Sequence, residues 1–123
     1  MDNVKLFESE LKLMELLWKN EGVPAKELTL LAFMEFGWNK NTTYTVIKRL
    51  VSKGAIRRDE PGFICRSLIG REEVGREEAK AVVDSFFGGS VQALFSSFVA
   101  EGVLPEEDIE ELRLMIDAHG QKD

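Results

Sequence analysis

At 123 residues, with 44% hydrophobic and 31% charged positions, the chain has room for one domain or a small domain with an appended oligomerisation segment, and larger architectures are excluded. No apolar run approaches the ~20 residues of a membrane span, and "MDNVKLFESE" lacks a basic start followed by an apolar stretch, so a cytoplasmic protein without membrane insertion is expected. Cys65 is the only cysteine and His119 the only histidine, which excludes an intrachain disulfide, a Cys-rich metal site, a His-based triad and a two-His metal site. The expectation is a protein that is not an enzyme and holds no metal or cofactor.

The net charge of −6 conceals an asymmetry. Residues 1–70 carry 11 Lys/Arg against 9 Asp/Glu, a net of +2, whereas residues 71–123 carry 5 against 13, a net of −8. Within 39–66 seven cations (Lys40, Lys48, Arg49, Lys53, Arg57, Arg58 and Arg66) stand against only Asp59 and Glu60, a net of +5. An acidic chain that gathers its cations in one short window points to a polyanion partner for that window.

In chain order, "ESELKLMELLWKN" places Leu11, Met14, Leu17 and Trp18 on one face of a first helix, with Glu8 and Glu10 at the end where the helix dipole favours negative charge. Pro24 opens a short second helix, "PAKELTLLAFMEFG", whose apolar side is Leu28, Leu31, Ala32 and Met34 or Phe36, and Gly37 ends it. Asn39 is the N-cap of a third helix that Gly54 closes. There Thr43, Val46, Ile47, Leu50 and Val51 share a face, leaving Asn41, Tyr44, Thr45, Lys48, Arg49 and Ser52 on or beside the other. Next, "AIRRDEPGFICRSLI" reads as a β-hairpin turning at "DEPG". Three helices followed by a hairpin is the order of a winged helix-turn-helix, with helix three reading DNA and the hairpin as its wing.

Beyond Ser67 the chain becomes acidic and helical. Val74, Ala81, Val82 and Phe86 fall near one face of a helix that the Gly88-Gly89 pair breaks, and Ser90 caps "VQALFSSFVAEG", where Val91, Leu94, Phe95, Phe98 and Val99 are spaced for burial. The last helix follows Pro105, with Ile109, Leu112 and Met115 or Ile116 inward. Three short amphipathic helices without a β partner bury little alone, so a homodimer is expected, formed through Val82, Phe86, Leu94, Phe95, Phe98, Val99, Ile109, Leu112 and Ile116. The fold class is mainly α with a small β-hairpin, divided into a winged helix-turn-helix domain at 1–70 and a C-terminal helical dimerisation segment at 71–123.

The words "ELKLMELLW", "PAKEL", "GWNKNTTYTVIKRLVSKGAI", "REEVGREE", "FGGSVQALFSSFV" and "EEDIEELRLMID", in this order and at these separations, resemble the penicillinase-repressor family of BlaI, MecI and CopY type regulators over nearly the whole chain. The resemblance implies a dimeric winged-helix repressor on a palindromic operator in double-stranded DNA. It also implies an upstream membrane sensor or protease, since the better-known relatives are cleaved in the dimerisation segment at an Asn-Phe bond. Here that bond reads Ser97-Phe98, and the copper branch's Cys-rich tail is replaced by "MIDAHGQKD". Phe7 stands where the family has a Ser or Thr helix cap, and the wing's Tyr-x-Tyr reads Phe63-Ile64-Cys65.

Asn41, Thr42, Tyr44, Thr45 and Lys48 are the candidates for base edges or adjacent backbone, and Arg49, Lys53, Arg57 and Arg58 those for phosphates. The main alternative for the whole is a winged-helix protein-interaction module that does not bind DNA. Trp18 and Trp38 read as packing residues; Phe86, Phe87, Phe95 and Phe98 read as dimer core rather than a ligand pocket. Cys65 reads as a packed strand thiol rather than a redox sensor.

Overall fold

The computed structural model describes residues 5–120. Six helices and three short strands follow in the order α1 (Glu8–Lys19), β1 (Val23–Pro24), α2 (Ala25–Phe36), α3 (Lys40–Ser52), β2 (Ile56–Asp59), β3 (Ile64–Ser67), α4 (Arg71–Phe86), α5 (Val91–Ala100) and α6 (Glu106–Gly120). The chain divides into two compact units between Glu78 and Ala79, inside α4. No single helix among the described residues is long and apolar enough to cross a membrane.

In the N-terminal unit α1, α2 and α3 enclose one apolar core built on Leu13, Met14, Leu17, Leu28, Ile47, Leu50 and Ile56. The buried stripe of α1 is wider than its spacing suggested: Leu13 and Leu16 are buried, while Leu11 and Trp18 lie at its margin. Trp18 donates its indole N–H to the Ile69 carbonyl at 3.0 Å, and Trp38 packs on Phe36 with ring centroids 5.0 Å apart, so both serve packing. On α2, Phe36 rather than Met34 joins the core; Met34 is 80% exposed, next to exposed Leu30 and Phe33.

Backbone chemistry places the helix ends where the sequence put them. The Asn39 side chain accepts the Thr42 N–H at 2.8 Å, satisfying a donor that the first turn of α3 leaves unpaired. Gly37 and Gly54 take positive φ of 73° and 82° just past α2 and α3, a conformation that a Cβ disfavours. The hairpin of β2 and β3 pairs Arg57 with Arg66 and Arg58 with Cys65, and β1 joins it, giving a three-stranded antiparallel sheet in the order β1-β3-β2 rather than a lone hairpin. β1 leaves no signal in the sequence, because two residues carry no alternation and one of them is proline, which is tolerated there because β1 is an edge.

Among the described residues Glu10 is the one charged side chain buried with this core, beside the buried hydroxyls of Thr29 and Thr43. Its side chain is 0% exposed, and one carboxylate oxygen accepts the Lys53 ammonium at 2.5 Å and the Phe7 backbone N–H at 2.9 Å. The other lies 3.7 Å from Arg49 Nε and accepts no hydrogen bond among the described residues. Burial works against ionisation of this carboxyl, but the Lys53 hydrogen bond, the Phe7 N–H and the charges of Lys53 and Arg49 outweigh it and hold it below its ordinary value. The first turn of α1 is thereby tied to the exit of α3.

In the C-terminal unit the apolar faces are largely open. No residue of α5 or α6 is buried. Phe86 is 79% and Ile116 69% exposed; Val82, Phe95, Phe98 and Val99 are exposed as well, and Leu94, Ile109 and Leu112 are half-buried. On α4 Val74 is buried as its spacing suggested and Val83 is buried too, whereas Ala81, Val82 and Phe86 are exposed. Ser90 caps α5 as expected, accepting the Ala93 N–H at 3.0 Å.

Two stability outcomes are expected. Asn39→Ala should lower stability by roughly 0.5–2 kcal/mol, read as a drop in thermal midpoint. For Glu10, a folded value below the unfolded 4.5 means that the stabilisation is present above pH 4.5 and is lost as pH falls through the lowered value. The melting gap between the wild type and Glu10→Gln should therefore be constant above pH 4.5 and narrow below it; a gap that widens on acidification would contradict the assignment.

Candidate nucleic-acid interface

The third helix has two chemically opposite sides. Thr43, Val46, Ile47 and Leu50 are buried, which leaves Lys40, Asn41, Thr42, Thr45, Lys48, Arg49 and Ser52 exposed along the other side. The Thr45 hydroxyl donates back to the Asn41 carbonyl at 2.9 Å, so its outward surface is partly methyl. Neither Lys40 nor Lys48 forms an ion pair among the described residues.

Tyr44 differs from expectation. The α3 pattern alone gave no reason to bury it, yet it is half-buried, with its ring centroid 6.3 Å from that of Phe63. Phe63 in turn carries the Arg58 guanidinium at 3.9 Å from its centroid. A stack of Arg58, Phe63 and Tyr44 thus joins the β2–β3 hairpin to α3. Phe63 sits at a positive φ of 51°, held by its N–H to Glu60 at 3.2 Å and by its carbonyl, which accepts the Ala25 N–H at 2.9 Å.

The remaining candidate cations are engaged by carboxylates of this chain. Lys53 contacts Glu10, the Lys5 carbonyl at 2.9 Å and, at 4.4 Å from its centroid, the Phe7 ring. Arg49 lies between Glu10 and the Ser9 hydroxyl, 3.5 Å away. Arg57 grips Asp59 with two nitrogens at 2.9 and 3.1 Å, Arg66 reaches the same carboxylate at 2.8 Å, and Arg58 bonds Glu60. The arginine hydrogen bonds, from Arg57 first at Asp59 and from Arg58 at Glu60, keep both carboxyls below their ordinary values.

The sequence count of cations did not anticipate these partners, although signals for them exist. Glu10 occupies the third position of a helix, from which a side chain reaches back to the cap. Residues two apart on a strand share a face, which brings Arg57 to Asp59 and Arg58 to Glu60. Cys65 is fully buried on β3, and burial, only partly opposed by Arg58, pushes its thiol up to about 11, the state of an inert packed cysteine. Among the described residues no group of three or more His, Cys, Asp or Glu side chains could hold a metal ion.

The N-terminal unit's architecture is shared with two solved structures. The solution structure of the DNA binding domain of the repressor BlaI matches with a TM-score of 0.54 at 24% identity, covering 59% of this chain and 93% of that one. The Bacillus licheniformis BlaI monomeric form in complex with the blaP half-operator matches with a TM-score of 0.53 at the same identity and coverages. At the level of sequence, the penicillinase repressor of Bacillus licheniformis is 22% identical over 117 residues, covering 94% of this chain and 91% of its own length. The methicillin resistance regulatory protein MecI of Mammaliicoccus sciuri is 27% identical over 117 residues, covering 92% and 95%. The profile of the penicillinase repressor family matches residues 6–118, nearly the whole of the described chain. On that match, together with the winged-helix unit, the chain belongs to the penicillinase repressor family.

Proposed function

We propose that the chain is a cytoplasmic transcriptional repressor that binds a palindromic operator as a homodimer. The observation that carries the reading is the outward stripe of Asn41, Thr42, Thr45 and Lys48 on a capped helix whose opposite side is core and whose flank is a basic wing. An α-helix fits the major groove, where amides, hydroxyls and an ammonium can meet base edges. Asn41, Thr42, Thr45 and Lys48 take that role here, with Tyr44 beside them bracing the wing. Arg49, Lys53, Arg57 and Arg58 approach phosphates, fixing register.

The open apolar faces of the C-terminal unit support the dimer. Between α5 and α6 an apolar groove of about 290 Å³ is lined by Phe95, Val99, Leu104, Ile109, Leu112 and Ile116, and large side chains so exposed are characteristic of surfaces that a partner covers. Val82, Phe86, Leu94 and Phe98 are assigned to the same interface. A two-fold dimer would set its reading helices one DNA turn, ~34–36 Å, or a multiple of it apart. The upstream sensor or protease would meet Ser97-Phe98 on exposed turns of α5, which must open locally before cleavage.

A protein-interaction role without DNA is favoured by one observation, the exposed Leu30, Phe33 and Met34 on α2. A binding titration separates the two readings. Against a palindromic duplex selected by the protein from a random library, Lys48→Ala should cost ~1–3 kcal/mol if Lys48 meets a base, with a smaller loss on a shuffled duplex. Absence of any enriched sequence would contradict operator binding. Sedimentation at micromolar concentration should give a dimer that Phe95→Glu or Ile116→Glu dissociates; a monomeric wild type would overturn the assembly.

A further inference from the structure

The charge pattern around the reading helix is not a free basic patch. Of the seven cations between 39 and 66, five are paired with carboxylates of the same unit, and the pair at the exit of α3 is unlike the others. Asp59 and Glu60 are surface acids on the wing. Glu10 is wholly buried, comes from another helix, and engages two cations at the end of α3, the capping Lys53 directly and Arg49, in the last turn, across 3.7 Å. Its second oxygen, buried and without a hydrogen bond among the described residues, lies on the side of Arg49.

A long, free cation on a DNA-facing surface can neutralise a phosphate at many registers, and so favours every sequence equally. A cation whose head group is held by a buried carboxylate presents its charge at one place relative to the helix. Phosphate contacts of that kind set register, and base contacts made from the same helix then read the sequence. Lys53 keeps part of its side chain in solvent, and Arg49 half of its own, so both remain within reach of a phosphate while they are held.

We propose that Glu10 is a specificity-determining positioning residue, which fixes Lys53 and Arg49 at the exit of the reading helix so that they meet phosphates only in the register where the outward stripe of α3 faces its bases. The proposal rests on the DNA-binding reading above. Glu10 touches no DNA itself; it acts through the two cations. Its carboxyl stays ionised at neutral pH, which the geometry requires.

The test uses the full chain, a palindromic duplex selected by the wild type from a random library, and a shuffled duplex of the same composition. Glu10→Gln removes the ionic tether, and Glu8→Gln removes an equal charge from the same helix end at an exposed position outside these pairs. For Glu10→Gln, binding to the shuffled duplex is expected to strengthen and its salt slope to steepen by about one, while operator binding does not improve. The ratio of operator to shuffled affinity should fall by about tenfold. Glu8→Gln should shift both duplexes by the same factor. If Glu10→Gln also shifts both equally, Glu10 is merely a structural counterion and the proposal is overturned, although DNA binding stands. If the wild type enriches no sequence, the DNA reading and this proposal fall together. Should Glu10→Gln melt below the assay temperature, Arg49→Gln on the exposed side replaces it: a larger loss on the operator than on the shuffled duplex supports a register contact, and equal losses overturn it.

Discussion

A carboxylate with no solvent exposure is costly to keep charged, and Glu10 is kept so only because two cations and a backbone N–H converge on it. The Phe7 N–H is local to the start of α1, but neither cation is: Arg49 in the last turn of α3 and Lys53 just past it stand some forty residues away. The arrangement of α1 against α3 must therefore be complete before the charge is tolerable. The apolar core supplies most of the driving force for that packing, and the ionic contact ties the first turn of α1 to the end of α3. The other flank of α3 is set by the Tyr44–Phe63–Arg58 stack from the wing. The helix is fixed from both sides, and its outward stripe is left to solvent.

This geometry changes how the charge of the protein should be understood. A window with a net of +5 suggests a strong, unspecific attraction to polyanions. Most of those cations already have partners, and the C-terminal residues add a net of −8. A protein built in this way gains little from charge alone and depends on local fit, which suits a regulator that must leave bulk DNA unoccupied.

Much of the fold was legible from local signals. Asn39, Gly37, Gly54 and Ser90 mark helix ends through capping and positive-φ chemistry that acts within four residues, and the hairpin followed from its turn and strand runs. What escaped local reading depends on contacts distant in sequence. The strand β1 exists only because β3 pairs with it, Tyr44 is covered only because the wing folds back, and Glu10 looked like an ordinary dipole-stabilising acid until Lys53 was brought to it. The candidate DNA surface was visible as a list of residue types, but which cations are free was not, since ion pairing depends on side-chain positions that periodicity does not encode. In the C-terminal unit, periodicity picks out the apolar residues, and in the single chain Val82, Phe86, Phe95, Phe98, Val99 and Ile116 are exposed.

The central claim is that the outward stripe of α3 meets duplex DNA. Amide chemical-shift mapping of the full chain with the selected palindromic duplex tests it most directly. The account predicts that the largest changes fall on Asn41 through Arg49 and on the wing around Arg57 and Arg58, with the buried core of α1 little affected. Changes confined to α2 around Leu30, Phe33 and Met34, or absent from α3 altogether, would contradict it.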